Sequence, residues 1–402
     1  SDTVSFDIPV DNIELSDYDA PIVAQATDDV QVLFTVRNTG NESETVTIEF
    51  RVEGIFDSNK TITIAKGGTE IVAFDYTPTL GTHNLSITAL PVSGETHILD
   101  NNLTGEIFVS DKIVALLVDD ELGSVNTVTY RNALQQAGLD ILVRDTESDE
   151  LNFDILDDFG LVVWFTGDDN ETLNGKERVM LNDYMDSGGY LHLSGTQIGR
   201  DVGDNPFYAD ALHATFVRAV PGLRNIVGVP ADPISRGLLL DIDESGEEIF
   251  PDEFGKVSFN YIGAAGAAVR IDDGTTKIMY YGFNFHNISN EADRFQVMNR
   301  TITWFDVDVQ PPQILNIDPV SGVPLPINTT EVNLTFDTDE FAECRIGDDL
   351  GRFRVKNVFN ETNGTSHKAS VGGLSNAVTV TKFVQCKDIK GNIQSFAHDF
   401  LQ

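Results

Sequence analysis

The run Ile113-Val114-Ala115-Leu116-Leu117-Val118-Asp119-Asp120-Glu121 decides how this 402-residue chain is read. Its six consecutive apolar residues leave no polar face, so a strand built from them is buried on both sides, as in a parallel sheet covered by helices. The acids that follow fall at the strand's carboxyl end, the edge at which open sheets of this kind bind ligands. Downstream, residues 124–138 have helical spacing, with Ser124 as the expected cap, Gly138 as the stop, and Val128, Leu134 and Ala137 facing inward. Short apolar runs at 141–143, 161–165, 190–193 and 277–285 read as further strands. A helix around Val179, Leu181, Tyr184 and Met185 ends at Gly188-Gly189. The last helix is capped by Asn290, carries Asp293 in its first turn and turns Phe295, Met298, Ile302 and Phe305 inward.

On either side the grammar is different. Before residue 111, alternating runs at 30–36, 45–52, 61–64 and 71–76 are separated by turn clusters at 38–41, 66–68 and 79–81, the spacing of a β-sandwich. An opening run, Thr3-Val4-Ser5-Phe6-Asp7-Ile8, alternates in the same way and is expected to be a strand, in its own sandwich or exchanged with another. Gln310-Pro311-Pro312 marks a linker, since paired prolines cannot continue a helix. Strands are expected again at 332–336, 344–346 and 378–386, with a turn at 390–392. Three domains follow: residues 1–110 and 310–402 as β-sandwiches around an α/β domain at 111–309.

Composition narrows the compartment and the partners. The chain has 64 acidic against 26 basic residues, a net charge of -38, which repels phosphate backbones and anionic lipid; nucleic acid is not an expected partner. No apolar stretch reaches the length of a membrane helix, so direct membrane insertion is not expected of these residues. The acidity is uneven: residues 1–110 hold 18 acids and 4 bases, whereas residues 310–402 hold 11 and 8. Asn-x-Ser/Thr occurs 11 times. N-linked glycans are expected at Asn41, Asn59, Asn84, Asn102, Asn170, Asn287, Asn328, Asn333, Asn360 and Asn363, while Asn299, next to Met298 on the last helix, is expected to be bare. Cys344 and Cys386, the two cysteines of the chain, read as one disulfide in a strand-rich segment. Together these features predict an extracellular glycoprotein.

Three resemblances bear on the domains. Asn38-Thr39-Gly40-Asn41, Tyr76-Thr77-Pro78 with Gly81 and His83, and Asp100-Asn101-Asn102 resemble the CARDB family of immunoglobulin-like adhesion modules. Val384-Gln385-Cys386-Lys387-Asp388 with Gly391-Asn392 resembles the ending of immunoglobulin-like repeats in prokaryotic surface proteins, archaeal ones among them. The segments 162–169, 188–195 and 282–286, with Arg294 and Trp304-Phe305, resemble the class I glutamine amidotransferase-like fold, which implies a flavodoxin-like parallel sheet. A phospho-receiver reading of Asp119-Asp120 is set aside because Trp164 stands about where that family needs its aspartate.

Active amidotransferases carry a nucleophilic Cys on a sharp turn, a His after a late strand and a Glu two residues beyond it. Matching Gly195 and Gln197 to the family's elbow puts Leu193 at the Cys position; His286 matches the His, and Ile288 replaces the Glu. Leucine cannot attack a carbonyl, and a histidine without nucleophile or orienting acid gives no covalent catalysis, so no enzymatic activity is expected. Ser194 lacks the Gly-x-Ser-x-Gly setting of a serine nucleophile. Asp119, Asp120, Asp168 and Asp169 should share one rim and are candidate ligands for a hard cation such as Ca2+, or else a solvated acidic edge; no cofactor is otherwise required. The expected role is a structural or adhesive component of a cell surface, whether surface layer, filament or stalk, with copies of itself or other envelope proteins as partners. The alternatives are a non-catalytic accessory region of a secreted hydrolase and a carbohydrate-binding module.

Overall fold

A computed structural model describes residues 12–25, 30–123, 125–306, 312–348, 356–375, 379–388 and 393–401. The opening run 3–8, Ser124, the prolines' linker as far as Pro311, and the turn 390–392 lie outside the described residues. The protein is mostly β-sheet, arranged in several sheets.

Eight strands make the N-terminal pair of sheets: β1 (Ile13–Asp19), β2 (Val23–Gln25), β3 (Val30–Asn38), β4 (Glu44–Val52), β5 (Ile55–Ile64), β6 (Thr69–Tyr76), β7 (Gly81–Ala89) and β8 (Asn102–Ser110). One sheet runs β1-β3-β6 and the other β2-β8-β7-β4-β5. Their alternating apolar residues, among them Val32, Phe34, Phe50, Phe74, Ile87 and Ile107, meet in one buried cluster.

The central sheet has nine strands in the order β10-β9-β11-β12-β19-β18-β17-β14-β15. Chain order gives β9 (Val114–Asp119), α1 (Thr127–Gln136), β10 (Asp140–Asp145), α2 (Phe153–Asp157), β11 (Leu161–Phe165), α3 (Gly175–Asp186) and β12 (Tyr190–Ser194). Two short helices follow, α4 (Ile198–Val202) and α5 (Pro206–Asp210), then β13 (Ala214–Ala219), β14 (Asn225–Gly228), β15 (Leu239–Asp241), β16 (Glu247–Pro251), β17 (Gly255–Tyr261), β18 (Ala268–Asp272), β19 (Lys277–Tyr281) and α6 (Glu291–Phe305). Strands β10, β9, β11, β12 and β19 pair in parallel. From β19 onward every pairing is antiparallel, and β13 and β16 form a separate ribbon. The expected flavodoxin-like parallel sheet is thus corrected to a mixed one, because residues 198–276 fold as two short helices followed by short strands and turns instead of continuing the strand-helix alternation.

Both faces of the parallel part are covered, as the apolar runs require. Tyr130, Ala133 and Leu134 of α1 and Val297, Met298 and Phe305 of α6 pack on one face; Met180, Leu181, Tyr184 and Met185 of α3 pack on the other with Ile198 and Tyr208. One inward assignment is corrected: Val128 is 58% exposed, because the buried stripe of α1 runs through Tyr130 instead. Asn290 does cap α6, accepting from the Ala292 amide at 2.8 Å, and Asn174 with Glu177 forms a capping box on α3.

The C-terminal sheet contains β20 (Ile314–Asp318), β21 (Glu331–Gly347), β22 (Asn357–Val358), β23 (Gly364–Gly372), β24 (Val380–Asp388) and β25 (Ile393–Phe400). The strands expected at 332–336 and 344–346 are one 17-residue strand, β21, whose first half pairs with β20 and β23 and whose second half pairs with β24. Cys344 and Cys386 are directly opposite in the β21–β24 ladder and are bonded.

Contacts distant in sequence join the sheets. Lys387 of β24 donates to Asp157 at the end of α2 at 2.8 Å, with the two side chains only 10% and 12% exposed, and Ser187 donates to the same carboxylate oxygen. At the other end Ser110 donates to Asp140 at 2.6 Å, and Ile22, Val23 and Phe108 pack against the α3 side of the central core. Replacing Cys344 and Cys386 together by Ala should destabilise the C-terminal sheet by about 2–4 kcal/mol, because the bond closes a long loop. Amide exchange should then quicken in β21 and β24 while β9, β11 and β12 stay protected; equal acceleration everywhere would mean that the sheets unfold as one unit.

Candidate functional site

The carboxyl ends of β9, β11, β12 and β19 meet at one rim, and the sequence explains which groups reach it. Parallel strands buried on both faces place most of their polar side chains where they end, so Asp119, Thr166, Ser194 and Asn284 collect there. Gly195 allows the turn after β12 to pass close to β11: a Cβ at that position would lie 2.2 Å from Thr166 Oγ1 and 2.9 Å from Ile198. A second set of residues arrives from the antiparallel side. Residues 241–247 run along 282–289, with the Asp243 amide donating to Asn287 O, the Ser289 amide to Asp241 O and the Glu247 amide to Gly282 O. This brings Glu244 and Glu247 beside Asp168, where with Thr196, Gln197 and Arg200 they line a cavity of about 500 Å³.

At the positions matched to the amidotransferase triad the rim is closed. Leu193 and Ile288 are fully buried, Leu193 within the α3-side core and Ile288 within the opposite one. Ser194 is also fully buried and shares a 2.8 Å hydrogen bond with Tyr130 Oη. His286 packs edge-on to Tyr130, its ring centroid 5.9 Å away, and burial holds its pKa below the ordinary histidine value. Deeper in the sheet, His192 is enclosed by Tyr281 and Phe285, and burial drives its pKa down to about 3, so the ring is neutral. Nothing in the sequence pattern singles out His192.

The four candidate aspartates are all at the rim, each engaged by protein donors. Asp119 accepts from the Glu121 amide and Thr127 Oγ1. Asp120 accepts from Thr146 Oγ1 at 2.7 Å and Trp164 Nε1 at 2.9 Å; thus the tryptophan in the receiver-aspartate position ties down one of the acids. Asp169 accepts from the Leu122 amide, and Asp168 from Thr196 Oγ1 and Asn284 Nδ2. Among the described residues no three His, Cys, Asp or Glu side chains converge as metal ligands. Desolvation, reinforced by Glu177, raises the Asp120 pKa to about 7. Glu247 is likewise raised to about 7 by desolvation, although it accepts from the Gly199 and Arg200 amides at 2.7 Å. Glu244 is raised first by its hydrogen bond to Asp168 and then by that group's charge.

The sequons divide by burial. Asn41, Asn59, Asn84, Asn102, Asn170, Asn328, Asn333, Asn360 and Asn363 are exposed. Asn287 is buried with its Nδ2 enclosed, and Asn299 is exposed on the outer face of α6, so the burial expected at Asn299 is found at Asn287. Asn287 is drawn inward by the 3₁₀ turn Phe285–Asn287, whereas Met298, the neighbour of Asn299, points to the core a third of a turn away.

No family model matches the chain, and no curated protein matches it. Solved structures do. The CARDB domain of a Pyrococcus furiosus protein, determined in solution, is 16% identical over 26% of this chain and all of its own length, with a TM-score of 0.25. The crystal structure of that domain in complex with di-metal ions is 20% identical over 26% of this chain and 97% of its own length, with a TM-score of 0.23. A putative GMP synthase component from Thermoplasma acidophilum is 13% identical over 49% of this chain and 97% of its own length, with a TM-score of 0.36.

The raised acids set a pH dependence. A carboxyl whose pKa is higher in the folded than in the unfolded chain stabilises the fold below its unfolded value, and that stability is lost as pH rises through the folded value. For Asp120 and Glu247 the window runs from about 4 to about 7. Glu247→Gln should therefore flatten the decline in stability across that window, by on the order of 2 kcal/mol, read as the difference between variant and parent thermal transitions. Parallel curves for the two proteins would show that Glu247 titrates normally.

Proposed function

We propose that the chain is a structural or adhesive component of a cell surface, in which the central α/β unit acts as a stiff spacer and not as a catalyst. The observation that carries this reading is the buried Lys387–Asp157 pair, joined at the opposite end by the Ser110–Asp140 hydrogen bond and the packing of Ile22, Val23 and Phe108. A tether between independent modules needs no such contacts. An arrangement of the sheets that separated Lys387 from Asp157 would leave both charges unpaired at the joint, so the contact favours the one arrangement in which they meet. Further support comes from the filled triad positions at Leu193 and Ile288, from a disulfide suited to an oxidising compartment, and from nine exposed sequons among the ten expected to carry glycans. In this reading the protein is extracellular and glycosylated, assembles with copies of itself or with other envelope proteins, and spans 1–110, 111–309 and 310–402 as three domains, an immunoglobulin-like sandwich on each side of an α/β unit with a mixed sheet.

Electron microscopy of the purified chain tests it. Elongated particles of constant shape, joined into fibres or lattices at native ionic strength, are the expected result. Particles whose parts vary in relative orientation, and which stay monomeric at high concentration, would favour an accessory region carried by another protein.

A further inference from the structure

Three sequons far apart in the sequence come together on one face of the N-terminal pair of sheets. Asn59 of β5, Asn84 of β7 and Asn102 of β8 are all exposed. The ladders fix their direction. Asn59 is opposite Glu49, Glu49 is opposite Thr88, and Thr88 is opposite Asn102, one row across β5-β4-β7-β8. Directly opposed residues share a face, and the neighbours of this row along β4 and β7, Ile48, Phe50, Ile87 and Ala89, are in the core, so the row faces outward. Asn84, four residues from Thr88 on the same strand, faces the same way. With strands about 4.8 Å apart and about 3.4 Å per residue, each asparagine is within roughly 17 Å of the other two. Each sequon lies along a strand, so its hydroxyl residue (Thr61, Ser86 or Thr104), two positions on, shares that face.

The amides are oriented without being used up. Asn102 Oδ1 accepts from Thr88 Oγ1 at 2.9 Å, a contact made by the oxygen and not the nitrogen. Asn84 Nδ2 is 3.4 Å from each Glu53 carboxylate oxygen, and the one N–H that a glycosidic bond leaves can still donate there. Beside Asn84 the face is dished by small residues, Gly54, Ser86, Thr104 and Gly105, around a depression of about 470 Å³, room for the first sugars of a chain.

The three asparagines surround the weak point of this sheet. Among the described residues β5 pairs with β4 alone, so its ten residues offer a free edge, a template to which a second chain can add, and the strand holds no proline to block it. Phe56, 48% exposed, is opposite Arg51 on the outer face. It begins the row Phe56-Arg51-Ser86-Thr104, which runs between Asn59 and Asn102 on one side and Asn84 on the other. The rest of the face is polar, including the paired hydroxyls of Thr45 with Thr63 and of Thr47 with Thr61.

We propose that N-linked glycans on Asn59, Asn84 and Asn102 form one coat over the outer face of the five-stranded sheet and its edge at β5, closing both to protein contact. The sugars supply bulk and solubility where Phe56 and an unpaired backbone edge supply neither. Contacts between copies are thereby confined to other surfaces. The inference rests on the glycosylated reading given above and not on assembly into fibres or lattices.

Glycopeptide mass spectrometry of the natively glycosylated full chain comes first, with sugar expected at all three positions. Asn59→Gln, Asn84→Gln and Asn102→Gln are then combined, and sedimentation velocity compares that variant with the parent at equal concentration. The variant is expected to shift to larger species, and adding Phe56→Lys should return it to the parent's distribution, because a charge on the edge opposes strand addition. Thr61→Ala, Ser86→Ala and Thr104→Ala together remove the same glycans while keeping the asparagines, and give the same comparison should the first variant fail to fold. In the parent, Phe56→Lys should leave any fibres or lattices unchanged. A bare asparagine at any of the three positions overturns the coat, and bare asparagine at all three also removes the glycosylated reading of this sheet. Full occupancy with unchanged sedimentation of the glycan-free variant, or a shift that Phe56→Lys fails to reverse, overturns the coat alone. Loss of the parent's fibres on Phe56→Lys would make β5 an assembly contact and overturn it as well.

Discussion

Burial of β9, β11 and β12 on both faces is the constraint on which the rest of the molecule depends. Every residue of these strands is buried. Each large apolar side chain removed from water contributes roughly 1.5–3 kcal/mol, and the parallel ladders satisfy the backbone groups that come with it. Such strands cannot carry exposed polar groups along their length. Polar chemistry is displaced to their ends, which is why Asp119, Thr166, Ser194 and Asn284 share a rim. The same constraint closes the elbow: Leu193 is continuous with the core beneath α3, packed among Leu191, Ile198 and Tyr280.

What was legible in the sequence follows from that constraint. The run 161–165 is a strand with the expected bounds, and those beginning near 113, 141 and 190 differ by a residue or two, because an unbroken apolar run flanked by Gly or Asp has few other ways to be buried. The face of α1 was read less well: it has apolar residues on two stripes, and spacing alone did not decide between Val128 and Tyr130. Residues 198–276 escaped reading because their strands are three to seven residues long and their amphipathic period is too short to register. Glu244 and Glu247 come from that stretch, so the rim's cavity was invisible while its aspartates were not. The strands expected at 332–336 and 344–346 are separated by the polar run Asp337-Thr338-Asp339-Glu340; β20 and β23 pair along the strand beside it and hold β21 continuous.

Electrostatics and covalent closure act on different parts of the molecule. The large excess of acid is carried mainly by solvent, yet three carboxyls, Asp120, Glu177 and Glu247, are drawn into settings where burial raises their pKa. Asp157 is paired with Lys387 of the nearly neutral C-terminal sheet. That sheet lacks the two-sided burial of the central strands and has a disulfide across its β21–β24 ladder instead. Three features thus restrain different parts of the molecule: a doubly covered sheet, a cross-strand bond and an ion pair between the central unit and the C-terminal sheet.

Leu193, near the end of β12, is enclosed by the core, so that a nucleophile placed at that position would be unreachable. Leu193→Cys tests this directly, since both native cysteines are in the disulfide and the introduced thiol is the single free one. In the native protein its alkylation by iodoacetamide should be slower by about a hundredfold or more than in the unfolded chain, because access requires opening of the structure. Alkylation in the native state as fast as that of an exposed thiol, or faster at neutral pH than an ordinary thiol allows, would show an open elbow and contradict the account.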